Sequence, residues 1–149
     1  MPLRPEAVNP GHYNASPECR SVYTEGIGAE FSSAPLFGSA HQLSVDTYAV
    51  QHAGGPHPDK SVDVHLTGLF LVLERGIVPT SVPPLLQRLV TVIKEWPHFP
   101  PPTASGSLTV LDVALAEDHI ATVRVWANGI WSAWAEHHDK IARLVERLS

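Results

Sequence analysis

The sequence predicts an all-α fold: a compact single-domain helical bundle of five to six helices ending in a long C-terminal helix. Three observations predict it. Apolar residues recur at helical spacing in successive windows from residue 16 onward. Pro, Gly, Ser and Thr stand where helices begin and stop. Finally, no alternating apolar–polar run is long enough to build a sheet.

The elements follow in order. Residues 1–15, with Pro2, Pro5, Pro10 and Gly11, carry no periodicity and read as an irregular arm before the domain at 16–149. Ser16-Pro17-Glu18 opens a first helix as N-cap, first-turn proline and dipole-facing carboxylate, and it runs to about Ser32. Gly26 and Gly28 weaken that helix, so it depends on packing. A second helix spans Pro35 to His52, with His41, Val45, Tyr48 and His52 on one stripe and Leu43 and Val50 opposite. A helix apolar on two sides belongs in the centre. Ser61–Arg75 forms a third, closed by Gly76, with Val62, His65, Leu66, Leu69 and Leu73 facing inward. Thr80-Ser81 caps a fourth that carries Pro83 and Pro84 in its first turn and reaches Trp96. Pro97–Ser107 is a stiff connector. Thr109-x-x-Asp112 reads as a capping box for a short helix, with a strand at Leu108–Leu111 as the alternative. The last helix covers Asp118 to Leu148, with Trp134, His138, Ile141, Val145 and Leu148 along one seam.

Composition narrows the function. A chain of 149 residues that is 44% hydrophobic and 17% charged can build a core without disulfides or a structural metal. One cysteine excludes a disulfide framework and a zinc ribbon. A net charge of −5 argues against nucleic acid. The longest apolar run, Leu69–Leu73, is far short of the ~20 residues that span a bilayer, and the first residues lack a signal-peptide core. The expected setting is therefore cytoplasmic, with neither nucleic acid nor membrane as partner. Cys19, in a first helical turn, reads as inert without a nearby base.

Nine histidines carry most of the chemical interest. His12, His57 and His98 fall in Pro-rich segments and read as exposed. His119 opens the last helix, where an imidazolium would oppose the dipole, and reads as neutral or exposed. By contrast, His41, His52 and His65 occupy apolar stripes, and a buried imidazole must satisfy two nitrogens or lose ~1–3 kcal/mol. His41 and His52 lie about 16 Å apart along one helix, so they cannot share an ion. His52 and His65 flank a short loop and are expected to converge, with a third imidazole coming from His137 or His138. Such a set, with His52, His65 and His138 as ligands, suits a divalent Zn, Ni, Cu or Fe ion. The alternative is a hydrogen-bonded core cluster.

Asp46 lies on another side of its helix, where it can orient an imidazole on a neighbouring helix, serve as a general base if burial raises its pKa, or cap a helix N-terminus. Tyr48 sits one turn before His52, and Gln51 is expected to make a polar contact. Trp126, Trp131 and Trp134 pack the core or line a pocket for a flat or apolar ligand.

The pattern His41-x-Leu43-x-Val45-Asp46-x-Tyr48-x-x-Gln51-His52, followed by Ser61-Val62-x-Val64-His65-Leu66 and a Trp-rich C-terminal helix, resembles an uncharacterised, mostly actinobacterial domain family of unknown function. The likeness runs from about Gly11 to the end. It implies that His41, Asp46, Tyr48, Gln51, His52 and His65 belong to a common pattern, whereas His57 and His98 are particular to this chain. Members of that family often begin with Cys-Pro-x-Cys-Gly, an element this sequence lacks.

These readings combine into an expectation. A pocket between the second, third and last helices acts on a small molecule of bacterial secondary metabolism, as a metal-dependent or acid–base enzyme. His41, Asp46, Tyr48, His52 and His65 would be its catalytic candidates, and Gln51, Trp126, Trp131 and Trp134 its substrate contacts. The alternative is a ligand- or partner-binding module whose histidine cluster is structural. A homodimer through the last helix is compatible with either.

Overall fold

The computed structural model of the protein describes residues 17–103 and 108–148, apart from the side chains at positions 19, 26 and 27. The N-terminal arm, the Ser16 cap, His12, the Cys19 thiol and the end of the proline connector lie outside the described residues. Among those described there is no strand, and the architecture is all-α.

Helix α1 (Pro17–Phe31) leads through a single turn, α2 (Ala34–Leu36), capped by Ser33, whose hydroxyl accepts from the Leu36 N–H. The chain then winds through a π-turn at Phe37–His41 before resuming as α3 (Gln42–Gln51). The second predicted helix is therefore present, with a wider turn near its start. Seven of the ten α3 residues are buried, including both Leu43 and Val50, as a helix with neighbours on two sides requires. Gly54 and Gly55 take positive φ at the turn into α4 (Asp59–Leu73). Gly76 at φ +67° and the Ile77 N–H to Leu71 carbonyl bond (2.9 Å) close α4 in a left-handed turn that only glycine enters cheaply.

A 3₁₀ turn at Pro79–Ser81 feeds α5 (Val82–Val92), whose apolar edge Val82, Leu86 and Leu89 is buried. Helix α5 stops at Val92 rather than reaching Trp96: Ile93 turns to extended backbone and enters the core. Thr109 and Asp112 form the capping box of α6 (Val110–Ala114), so the helix, not the strand, is realised.

The long final helix predicted from Asp118 is instead two helices. Helix α7 (His119–Ala133) ends at Trp134, a 3₁₀ turn covers Ala135–His137, and α8 (His138–Glu146) follows. The break has a side-chain cause. The His138 Nε2–H donates to the Trp131 carbonyl at 2.8 Å and its ring stacks on the Trp131 indole at 3.8 Å. Trp131 and Trp134 remain buried while α8 packs back on α4. The core joins Leu43, Tyr48, Leu66, Leu69, Leu89, Trp126, Ile130 and Ile141. No described helix is long and apolar enough to cross a membrane.

Candidate functional site

The site begins with the π-turn. Widening a helix by one residue is uncommon, occurs mostly as isolated turns, and frequently marks functional positions. Here it brings Phe37 and His41 into a stacked pair, with centroids 4.7 Å apart and planes 18° from parallel. Phe31, at the end of α1, tilts against both rings.

His41 Nδ1 turns inward to the carboxylate of Glu30 (3.3 Å), which is 1% exposed. The same carboxylate accepts from the Ser44 hydroxyl (2.5 Å) and from His119 Nε2 (2.7 Å). One buried anion thus gathers donors from the π-turn, α3 and α7. A carboxylate sealed from water is costly unless such charge-assisted bonds compensate it. Because an ionised carboxylate only accepts, His41 carries its proton on Nδ1 and His119 on Nε2.

A second carboxylate is built alongside. Asp46 is fully buried; His65 Nδ1 meets its Oδ1 at 2.8 Å, and the Gln42 amide donates to its Oδ2 at 2.9 Å. Burial pushes the Asp46 carboxyl above its ordinary range, opposed by the His65 bond and charge, Gln42 and His41. Gly68 on α4 makes room for it: a Cβ built there would lie 2.1 Å from Asp46 Oδ2. Glycine inside a helix costs roughly 0.5–1 kcal/mol against alanine, so its presence reflects this close approach.

The two clusters share a cleft. Phe37, His41, Gln42, Pro79, Thr80 and Pro83 line a cavity of about 240 Å³. Tyr23, Glu30, Ser44, Val110, Val113, His119 and Trp126 line a second, smaller pocket of about 10 Å³, roughly one water.

The other predicted residues are distributed differently. His52 donates its Nδ1–H to the Tyr48 carbonyl in its own helix (2.9 Å), and its ring lies against the Tyr48 ring. Burial lowers its pKa. Tyr48 stacks face to face on Tyr23 at 3.9 Å. Gln51 bridges, accepting from the Trp126 indole (3.0 Å) and donating to the Leu108 carbonyl (2.8 Å). The Trp131 indole donates to Glu74 (2.6 Å), and Trp134 is buried in the core. His137 bonds the Pro100 carbonyl and His138 that of Trp131. Among the described residues, no three His, Cys, Asp or Glu side chains are gathered as an ion would require, so His52, His65 and His138 are not brought together.

Of the histidines read as exposed, His57 departs from that expectation, and His119, read as neutral or exposed, is partly buried. His57 is buried, its ring between the His52 carbonyl (3.3 Å) and the Ser61 hydroxyl (2.7 Å), because the Gly54-Gly55 turn folds the loop back onto α4. His119 is drawn inward by Glu30. His98 is exposed and pairs with Asp59 at 2.7 Å. Glu30, Ser44 and the Pro79–Pro83 wall carried no local signal.

Fold and site together define a class: a small all-α bundle in which buried carboxylates hold imidazoles beside a compact cleft. The chain belongs to the family of unknown function DUF5946, whose model matches residues 6–135. No curated protein and no solved structure matches it.

Proposed function

We propose that the protein binds a small organic molecule in the cleft at the π-turn and moves a proton on it, with His41 as the acid–base group. The observation that carries this reading is that His41 lines the cleft while its Nδ1–H is held by buried Glu30. With the proton fixed on Nδ1, the opposite ring nitrogen Nε2 is the basic one. Taking a substrate proton there makes an imidazolium whose charge Glu30 offsets without solvent rearrangement. Returning that proton to a second substrate atom completes an isomerisation or elimination without any other reagent. Gln42, steadied by Asp46, supplies a polar group on the same wall.

A carboxylate-backed imidazole is also how a metal-ligating histidine is oriented, which favours a second reading in which a divalent Zn, Ni, Cu or Fe ion occupies the cleft through His41. Elemental analysis of untagged protein separates the two.

The test is an NMR screen of metabolite-sized compounds against the labelled protein, followed by product analysis of each hit. The expected result is a hit that shifts the amides of residues 37–42 and 80–82 and is converted by wild type. His41→Ala and Glu30→Gln should still bind it but convert it at least 100-fold more slowly. Binding in the cleft without conversion of any hit would make the protein a binding module. Hits confined to other faces would overturn the reading.

A further inference from the structure

We infer that the cleft selects a flat aromatic or heteroaromatic molecule bearing one hydroxyl or ring N–H, a deepening that rests on the cleft reading above. Three features, each independent of the acid–base chemistry, support it.

The first is the exposure of Phe37 in the cleft lining and of Phe31, which packs against it from outside that lining. Phe31 is 64% and Phe37 38% accessible, although the core has apolar positions in plenty. Aromatic rings left in water at a cavity mouth mark a place where something else covers them. Phe37, His41 and Phe31 are already arranged as mutually stacked and tilted rings, and a further ring continues that array by offset stacking or an edge contact.

The proline part of the lining gives the second feature. Pro79 and Pro83 present rigid apolar rings from the 3₁₀ turn and the first turn of α5. Their fixed backbone angles leave little to reorganise on binding. A lining of aromatic and proline rings favours a rigid, flat ligand over a flexible chain, whose ordering would cost entropy.

Third, the polar groups are few and of one kind. His41, Gln42 and Thr80 are the hydrogen-bonding residues of the lining, and its described residues include no lysine or arginine to hold phosphate or sulfate. They suffice for one exchangeable hydroxyl or N–H beside the ring, and too few for the many hydroxyls of a sugar. A volume of about 240 Å³ lies below the usual range for drug-sized ligands and suits an occupant of one ring or two fused rings.

The test titrates four probes separately into labelled protein: phenol, indole, cyclohexanol and inorganic phosphate. Phenol or indole should bind at the amides of residues 37–42 and 80–82 about three- to tenfold more tightly than cyclohexanol, with ring-current shifts near Phe37. Phosphate should not bind there. Phe37→Leu keeps apolar bulk at an exposed position and should fold normally, but it should erase the preference for phenol over cyclohexanol. Equal binding of phenol and cyclohexanol at the cleft would overturn the aromatic assignment while leaving the cleft reading intact. Phosphate outcompeting the aromatics would also overturn it. If no probe moved those amides, the cleft reading itself would fall, and the inference with it.

Discussion

At one end of the bundle, Glu30 and Asp46 are as deeply buried as any side chain in the protein, and every carboxylate oxygen there has a partner. On α4, Asp63 is equally inaccessible, yet neither of its oxygens has a hydrogen-bond partner among the described residues. The same functional group therefore meets two fates. Where histidine, serine and glutamine converge, burial holds a polar device next to a cleft. Burial raises both Asp46 and Asp63, but the bonds from His65 and Gln42 oppose it at Asp46, whereas at Asp63 the charge of Asp59 adds to it and the pKa is pushed up to about 8. Asp63 thus keeps its proton to far higher pH than an ordinary carboxyl, whereas Glu30 serves as the anchor of two imidazoles. Burial alone does not make a site; convergence of donors does.

The contrast is broken most severely by removing Glu30. Glu30→Ala strands His41, Ser44 and His119, drawn from three segments, around a hole. Deleting one partner of a buried ionic cluster costs about 3–5 kcal/mol, so urea denaturation should show a loss of that order, with the m-value retained. If the loss is under about 1 kcal/mol, the cluster is not formed in solution. Gly68→Ala attacks the second carboxylate sterically. The added methyl would overlap Asp46 Oδ2, and overpacking of a tight core costs roughly 1–3 kcal/mol. The His65 ring N–H signal in proton NMR should move or vanish with it. An unchanged signal and unchanged stability would mean that Asp46 sits elsewhere.

How much of this was legible in the sequence follows from the range of the signals. Helix positions are local, so the α3 double face, the Thr109–Asp112 capping box and the Gly76 stop could be read directly. The π-turn could not: Phe37-Gly38-Ser39-Ala40-His41 has no composition that separates one winding from another, and tertiary contacts choose it. The break after Trp134 was equally hidden, because Trp134, His138 and Ile141 fit an unbroken seam as well as a broken one. For the site, the 41–52 pattern pointed to His41 and Asp46. Their partners are 11 residues away in Glu30 and 19 away in His65, on other helices, and no spacing rule encodes such pairs. Glu30 and His119, 89 positions apart, look like ordinary surface residues until the fold brings them together.

Asp63 offers a test of opposite sign. Its folded pKa of about 8 lies above its ordinary value of 3.8. Between those values the folded state keeps a proton that the unfolded state has released, so Asp63's contribution to stability is full below pH 4 and is lost as pH rises to 8. The maximum slope is about 1.4 kcal/mol per pH unit. Asp63→Asn removes the ionisation, so the variant should match wild type near pH 4 and pull steadily ahead of it as pH rises to 8. Parallel pH–stability curves for the two proteins would show that Asp63 is solvated or paired.

The smallest expected effect sharpens the comparison furthest, because it holds chemistry and distance fixed and changes only burial. His98 and Asp59 meet at 2.7 Å, as close as His65 and Asp46, but with 63% and 44% of their side chains in solvent. Water already satisfies both groups and salt screens their attraction, so His98→Ala should change stability by less than about 0.5 kcal/mol. His65→Ala, by contrast, leaves Asp46 buried with one partner removed and should cost several times as much. Asp59→Asn adds a second reading: it removes the charge that helps raise the Asp63 pKa, so the alkaline end of the Asp63 window should move to lower pH. If His98→Ala and His65→Ala proved equally costly, burial would not be what separates the two kinds of pair. The distinction between anchored and stranded carboxyl groups would then have to rest on geometry alone.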